Sequence, residues 1–199
     1  MYTPPAFEMS DPDALNAVMR AYDFAILLVP GEPDLAATHV PLKLSDEAQI
    51  LYGHVARANP LCAAIEAGKE AMAIFSGPHA YISPTWYSDP DNNVPTWNYI
   101  TVHAFGTLAA LKDIDAERSL SNQVADFESD WRITNLEAKK RAKMEAAIMP
   151  FEFAINRIEG KSKLSQNKSI AERKRLADAL VERGESAIAY HMVGDREET

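Results

Sequence analysis

The chain has 199 residues and a mass of 22.0 kDa, with 47% hydrophobic and 25% charged residues, which is the composition of an ordinary folded domain. Its 29 acidic and 20 basic residues give a net charge of −9, which repels phosphate backbones and anionic lipid and makes nucleic acid a poor candidate partner. Cys62 is the single cysteine, which excludes an intrachain disulfide and a cysteine-built metal site and favours a reducing, cytoplasmic location.

No segment of the sequence is expected to direct export or to cross a membrane. The start, MYTPPAFEMS, lacks a basic region followed by an apolar one. The longest apolar stretches, Phe24–Pro30 and Ala146–Ile155, are too short to span a bilayer. We therefore expect a soluble protein that forms a single domain over residues 1–199.

The N-terminal segment predicts a short amphipathic helix over residues 11–22. Ser10, Pro12 and Asp13 form a helix-start signature. Apolar side chains then recur with helical spacing at Leu15, Val18, Met19 and Tyr22.

From Phe24 to Leu111 the pattern changes to short apolar or alternating runs between turn residues, which is typical of strands. The predicted strands are Ala25–Val29, Leu35–Leu42, Gln49–Val55, Ala71–Ser76, Ala80–Ser83 and Trp97–Leu111, with a brief helix at Leu61–Ala67. Many short strands with short connections favour an antiparallel sheet that closes into a barrel, because closure removes exposed edges. We therefore expect a mainly β fold with added helices, of the α+β class.

The C-terminal part predicts helices on either side of one further strand. Charge-rich helical patterns cover Ala116–Phe127 and Leu136–Ile148, and Phe151–Ile158 alternates like a strand. An amphipathic helix then ends at Gly184 and is followed by a second helical segment at Ser186–Met192. The expected barrel core covers about residues 24–111 and 151–158, with helical additions at 11–22, 115–148 and 169–192.

The common catalytic and nucleotide-binding motifs are missing from the sequence. It contains no Gly-x-Gly-x-x-Gly, Walker-type loop, Gly-x-Ser-x-Gly, His-Glu-x-x-His or Cys-x-x-Cys. Four histidines lie in or next to predicted strands, but their spacing specifies no metal site, and none is predicted: His39, His54, His79 and His103. We expect these imidazoles to donate to backbone carbonyls or to line a polar pocket.

Two segments have the residues to bind an anion. Arg57 and Asn59 lie where a predicted strand ends and a helix begins, which favours a phosphate, although an ordinary salt bridge on a turn is an alternative. Glu159–Lys168 (EGKSKLSQNK) concentrates lysines after a strand, where either a solvated loop or phosphate contacts would explain them. The basic run Lys139–Lys143 lies within a helix between acidic residues, so pairing on a wet face explains it without DNA.

Two tryptophans, Trp86 and Trp97, flank the polar loop Ser88–Asn93. A flat ring system or a partner surface would use both side chains. Packing in the core or at a dimer interface would explain them equally well, and these alternatives stay open on the residue pattern alone.

Five ordered motifs extend from the MYTPPAF start to past Asn167: ATHVPL (Ala37–Leu42), GHVARANP (Gly53–Pro60), FSGPHAYISPTWY (Phe75–Tyr87), VPTWNYITVHAFG (Val94–Gly106) and EGKSKLSQNK. Together they resemble the PaiB-like family of FMN-binding negative transcriptional regulators. The resemblance implies an antiparallel FMN-binding split β-barrel, normally a homodimer with two FMN sites at the interface.

The resemblance also implies roles for individual residues. The residues expected to line the isoalloxazine ring are Thr38, His39, Val40, His54 and Val55. Those expected near the phosphate are Arg57 and Asn59. The partner subunit is expected to supply Trp97, Asn98 and Tyr99, and further candidate FMN contacts are Lys163, Ser165 and Gln166.

Two functions follow from these expectations. The first is a regulator that acts as a flavin-binding homodimer, and the alternative is an FMN-dependent oxidoreductase that acts on a small molecule. The sequence shows neither a helix-turn-helix nor a basic face, which makes direct DNA binding doubtful. No residue identifies itself as catalytic.

Overall fold

The structure is a computed structural model that describes residues 1–31 and 35–194. The chain divides into two compact units. Unit 1 comprises Met1–Leu15, Ser76–Val102 and Glu159–Thr199, and unit 2 comprises Asn16–Phe75 and His103–Ile158. Each unit is described separately below. Among the described residues, no helix has both the length and the apolar character needed to cross a membrane.

Eight strands and six α-helices make up the described chain. The strands are β1 (Glu8–Met9), β2 (Phe24–Val29), β3 (Ala36–Pro41), β4 (Lys43–Leu44), β5 (Ile50–Ala56), β6 (Glu70–Ile82), β7 (Thr96–Ala110) and β8 (Ile148–Lys163). The helices are α1 (Pro12–Ala21), α2 (Leu61–Glu66), α3 (Asp113–Phe127), α4 (Ala138–Ala146), α5 (Ile170–Val181) and α6 (Ser186–Val193). Single 3-10 turns lie at Pro5–Phe7, Pro84–Trp86, Pro90–Asn92 and Ile133–Asn135.

The strands form one sheet in the order β3-β2-β6-β7-β8-β5-β4, and β1 pairs with β8. In unit 2, β2 runs antiparallel to β3 with Leu27 opposite Thr38. On the other side of the sheet order, β5 runs antiparallel to β8 with His54 opposite Pro150. The register of these two strand pairs therefore fixes the positions of Thr38 and His54, two of the predicted cofactor contacts.

The core of unit 2 is built from the inward-facing positions of these strands. Leu27, Leu51 and Phe151 are fully buried, as the alternation of side chains along a strand predicts. Gly53 is required where β5 crosses this core, because a Cβ there would lie 2.8 Å from Leu42 Cδ2 and 2.9 Å from Phe151 Cζ. This close approach sets the path of β5 immediately before His54.

The core of unit 1 includes the facing sides of α5 and α6. The side chains of Leu176, Leu180 and Ile188 are each at most 1% exposed. The start of α5 is fixed by Ser169, whose Oγ accepts a hydrogen bond from the Glu172 N–H at 3.2 Å. A serine at this position satisfies one of the unpaired amides of the first helical turn.

The predicted elements agree with the structure in type, and most of their bounds differ by one to three residues. The short strands β1 and β4 were not predicted. The larger differences concern β6, β8 and α4. The runs Ala71–Ser76 and Ala80–Ser83 form the single strand β6, because the backbone angle of Pro78 suits an extended chain and costs it only one N–H donor. The strand predicted at Phe151–Ile158 extends to Lys163, so Lys161 and Lys163 lie on β8 and not in a following loop. The helix predicted over Leu136–Ile148 is shorter, since α4 ends at Ala146 and Ile148 begins β8.

Candidate functional site

In unit 2 the end of β5 meets β3, although these strands are far apart in the sheet order. Asn59 Nδ2 donates a hydrogen bond to Thr38 Oγ1 at 3.4 Å. The same amide is oriented by α2, since the Leu61 N–H donates to Asn59 Oδ1 at 2.9 Å. We call the group Thr38, His39, Arg57 and Asn59 the strand-end site, because its members lie on β3 and just after β5.

Arg57 is exposed and is anchored by the end of α4. Its Nε donates to the Ala146 carbonyl at 2.9 Å, and its backbone N–H donates to the Ala147 carbonyl at 2.9 Å. Carbonyls at the C-terminus of a helix lack partners within the helix and carry a partial negative charge, so they hold a cation well. The guanidinium is thus positioned by backbone, while its Nη atoms carry four further N–H donors.

The other residues predicted to contact the isoalloxazine ring differ in whether their side chains face solvent or the core. His39 is exposed, and its ring lies 6.0 Å from the ring of Phe24, which is itself 65% exposed, at an interplanar angle of 31°. Val40 and Val55 are 2% and 4% exposed, so their side chains belong to the core. A cofactor at this site would meet the two valines through their backbone atoms.

His54 faces α3 in unit 2. Its Nδ1 lies 3.0 Å from Gln123 Oε1, and Gln123 Nε2 donates to Ser119 Oγ at 3.3 Å. Since Gln123 Oε1 is an acceptor, His54 Nδ1 carries the proton and donates it. The expectation that these histidines donate or line a pocket describes His54 well, because it also lines a cavity beside α3 and α4.

In unit 1, Asn98 is fully buried and its side chain is used within its own chain. Asn98 Nδ2 donates to Ser165 Oγ at 3.0 Å and contacts Met192 Sδ at 3.3 Å. Ser165 is 5% exposed and has a left-handed backbone with φ of 61°. Both predicted contact residues are therefore part of a buried polar network.

Lys163 lies beside this network, and its ammonium group also forms hydrogen bonds within the chain. Its Nζ donates to Thr96 Oγ1 and to the Trp97 carbonyl, each at 2.6 Å. Burial lowers the pKa of Lys163, and the nearby charge of Lys161 lowers it further. Gln166 is exposed, and its Oε1 accepts a hydrogen bond from the Leu164 N–H at 2.7 Å.

Lys163 and Ser165 line a cavity of about 310 Å³ in unit 1. We call it the lysine pocket; its lining also includes Phe7, Tyr87, Asn93, Thr96 and Lys168. Lys168 Nζ donates to Asn93 Oδ1 at 2.6 Å and lies 5.1 Å from the centre of the Tyr87 ring. Burial raises the pKa of Tyr87, against the opposing effect of its hydrogen bond with Ser165. Sequence reasoning did not single out Lys168 or Tyr87 as site residues, although both lie in quoted motifs.

An aromatic cluster of His79, Tyr81, Trp86 and Trp97 lies on unit 1. Tyr81 contacts both tryptophans edge-to-face, with ring centres 6.3 Å from Trp86 and 6.1 Å from Trp97. Trp97 is 53% exposed and Tyr81 is 42% exposed. The core alternative is therefore wrong for Trp97. Tyr99, the remaining predicted partner contact, lies with its ring centre 5.2 Å from Lys161 Nζ.

Metal ligands do not converge in the part of the chain that the structure describes. Among the side chains that the structure describes, no three from His, Cys, Asp or Glu come close enough together to hold an ion.

Solved structures with the same fold define the class of this protein. One is the FAD and heme binding protein from Mycobacterium smegmatis, with a TM-score of 0.63 and 17% identity over 83% of this chain and 78% of that one. Another is the flavocytochrome Anf3 from Azotobacter vinelandii, with a TM-score of 0.55 and 17% identity over 78% of this chain and 69% of that one. The predicted antiparallel split barrel with added helices, the fold of flavin-binding proteins, is confirmed.

Sequence relationships identify the family within this class. Residues 1–157 match the family model described as "Putative FMN-binding domain", and the chain belongs to this family. Its cofactor is accordingly FMN. The chain is also 30% identical over 175 residues to the "Protease synthase and sporulation protein PAI 2" of Bacillus subtilis (strain 168), covering 85% of this chain and 84% of that protein. The resemblance to PaiB-like proteins is confirmed.

Proposed function

We propose that the protein is a negative transcriptional regulator that acts as an FMN-binding homodimer, with the strand-end site holding the cofactor. The observation that carries the proposal is the hydrogen bond between Asn59 and Thr38, which joins two predicted flavin contacts, one on β3 and one in the turn after β5, at 3.4 Å. The name of the Bacillus subtilis relative refers to protease synthase and sporulation, which supports a regulatory role.

The chemistry of the strand-end site fits a flavin mononucleotide. A flavin needs a flat apolar surface for its ring, hydrogen-bonding groups for its polar edge and ribityl chain, and localised positive charge for its phosphate. His39 with the exposed ring of Phe24 offers the first, and Thr38 and Asn59 offer the second. When bound, FMN supplies a redox-active ring system.

Arg57 is the residue proposed to hold the phosphate. Its guanidinium is already oriented by the Ala146 carbonyl, so little further side-chain ordering is needed on binding. A charge-assisted hydrogen bond from such a group contributes about 1.5–3 kcal/mol. On a chain with a net charge of −9, an isolated exposed arginine matters more than it would on a basic protein.

The homodimer is supported by the aromatic cluster on unit 1. Trp97 and Tyr81 remain substantially exposed in the single chain, and contiguous apolar surface of this kind commonly marks an interface. A symmetric pair would bury the same rings on both chains.

Direct reading of duplex DNA is not part of the proposal. Two chains at −9 each place about −18 on the dimer, and protein–DNA affinity depends on several clustered cations that release counterions. The regulatory output is proposed to pass through the bound flavin or through a protein partner.

The decisive experiment combines an FMN titration with a reporter assay. The purified protein should bind one FMN per chain at micromolar concentration, seen as quenching of flavin fluorescence, and should scatter light with twice the 22.0 kDa chain mass. In cells, repression of a reporter should be lost with Arg57→Ala and kept with Arg20→Ala. The latter also removes an arginine that donates to backbone carbonyls, those of Leu44 and Ser45.

Three results would contradict the proposal. The first is the absence of an FMN effect on fluorescence or melting temperature. The second is a monomeric mass at micromolar concentration. The third is tight, sequence-specific binding of the purified protein to a promoter fragment at physiological salt, which would restore direct DNA recognition.

A further inference from the structure

A cavity of about 440 Å³ in unit 2 lies outside the strand-end site. It extends over the end of β2, the start of β6 and the middle parts of β7 and β8, which are neighbours in the sheet. We call it the sheet-face pocket. None of the residues predicted to contact FMN is among the described residues that line it, and its volume lies within the range of sites that bind small organic molecules.

The apolar part of the sheet-face pocket lies on the side of the sheet that faces away from the core. Leu28 lies opposite Met72 in the register of β2 and β6, and both side chains are partly exposed. The adjacent pair, Leu27 and Ala73, is fully buried, as the alternation of side chains along a strand requires. Phe105 adds an aromatic ring to this surface. The bulk of the ligand should therefore be apolar, because methionine and phenylalanine offer polarizable surface to a hydrocarbon group.

Arg157 supplies the positive charge of the pocket. The Cζ of its guanidinium lies 3.7 Å from the centre of the Phe105 ring, a distance at which the flat face of the group rests on the ring. The side chain is also exposed, so a ligand in the pocket can reach it. The five N–H donors lie in the plane of the guanidinium, and stacking on the ring therefore does not use them.

Two further polar residues limit which ligand fits. Asn156 Nδ2 carries two N–H groups and donates one of them to Thr107 Oγ1 at 3.4 Å, so the second can donate to a ligand. Glu70 is the only acid among the described lining residues, and it is exposed at the start of β6, where water and salt screen its charge. A carboxylate matches these groups best, because its two oxygens accept two in-plane N–H bonds from one guanidinium.

We propose that the sheet-face pocket binds a small apolar carboxylate, with its hydrocarbon part on Leu28, Met72 and Phe105 and its carboxylate on Arg157. This goes beyond FMN binding, because the ligand is a different molecule and none of the proposed cofactor contacts takes part. A single guanidinium within an apolar surface is complementary to one carboxylate joined to a hydrocarbon group. A second copy of the chain is the alternative occupant of this face, and the test below distinguishes the two.

The test uses three compounds that share one ring and differ in charge: 3-phenylpropionate, 3-phenyl-1-propanol and 3-phenylpropylamine. Each is titrated by calorimetry into the full-length protein, with and without saturating FMN. We expect the carboxylate to bind most tightly, the alcohol more weakly and the amine least, with the same order in both forms of the protein.

Two variants and one control locate the site. Arg157→Gln should weaken the carboxylate about tenfold and leave the alcohol nearly unchanged, because only the charged ligand loses its ion pair. Met72→Trp should weaken both by filling the pocket. Arg175→Gln removes an exposed arginine on α5, away from the pocket lining, and should change neither.

Several results would overturn the inference. Equal affinity for the carboxylate and the amine, or no binding of any of the three compounds at millimolar concentration, would do so. Displacement of the carboxylate by FMN would assign the cavity to the cofactor instead. A change from dimer to monomer in Met72→Trp, measured by light scattering, would assign this face to a second copy of the chain. If Met72→Trp fails to fold, an unchanged carboxylate affinity in Arg157→Gln is enough to reject the site. None of these results depends on whether FMN binds at the strand-end site, which is measured separately.

Discussion

The strand-end site and the lysine pocket contain similar residues but use them differently. In the strand-end site, the Arg57 guanidinium donates through Nε to the Ala146 carbonyl and His39 is exposed, so the Nη donors and the ring surface remain for a ligand. In the lysine pocket, the Nζ of Lys163 already donates to two acceptors, and the neighbouring Asn98 is enclosed with Ser165. Polar residues in a motif can thus serve either a ligand or the protein's own interior, and their hydrogen-bond partners tell the two apart.

Asn98→Ala is expected to give the largest effect and tests the structural side of this comparison. The change removes the hydrogen bonds between Asn98 and Ser165 and opens a cavity in a fully buried position. We expect a loss of about 2–3 kcal/mol in the free energy of unfolding, or about 5–10 °C in melting temperature. Denaturant unfolding measures it.

Asn156→Ala is the matched control for that variant. Asn156 is also a strand asparagine with one hydrogen bond, to Thr107 Oγ1 at 3.4 Å, but it is exposed. We expect a change within about 0.5 kcal/mol. Equal losses in the two variants would show that the buried network around Asn98 contributes little.

Arg57→Ala tests the ligand side of the comparison. The removed guanidinium is proposed to donate to the phosphate, so FMN affinity should fall tenfold or more, which corresponds to about 1.5–3 kcal/mol. Fluorescence titration measures the affinity, and circular dichroism should show an unchanged fold. Arg20→Ala serves as the control, and an equal loss of affinity in both variants would contradict the assigned phosphate site.

Lys163→Met asks whether the lysine pocket contributes to FMN affinity at all. Two of the three N–H donors of Lys163 are already used, and burial lowers its pKa. We therefore expect a loss of no more than about fivefold, or about 1 kcal/mol. Lys174→Met, at an exposed position of α5, should have no effect. A loss larger than that of Arg57→Ala would move the phosphate to the lysine pocket.

The sequence predicted the type of most helices and strands. It predicted less well which polar side chains pair within the protein and which remain for a ligand. Buried and partly exposed side chains alternate along β7, as expected for a predicted strand, because that period follows from backbone geometry. The same alternation could not show that Asn98 pairs with Ser165, since that contact joins residues far apart in the chain. The anchor of Arg57 on α4 was equally inaccessible, because it depends on where the chain returns after α3.

The cavity beside α3 and α4 shows the same limit. The predicted helices after Leu111 carried charge-rich faces, and nothing in their spacing indicated that Trp131 and Glu145 would line one cavity with His54. That cavity depends on the tertiary packing of α3 and α4 near β5. The sequence argument for His54 concerned its residue type and not its neighbours.

The smallest expected effect is a pH dependence that again compares the two units. Burial lowers the pKa of His103 in unit 2 and of His191 in unit 1 from the usual 6.5. Between the lowered value and 6.5 the unfolded chain binds more protons than the folded one, so stability should fall as pH decreases through this window. For the FMN-free protein, His191→Gln or His103→Gln should reduce the drop in melting temperature between about pH 7.5 and about pH 5.5 by less than about 2 °C. A steeper drop in either the His191 or the His103 variant would show that the protonated imidazole is stabilised in the folded state, which is the opposite of what partial burial alone produces.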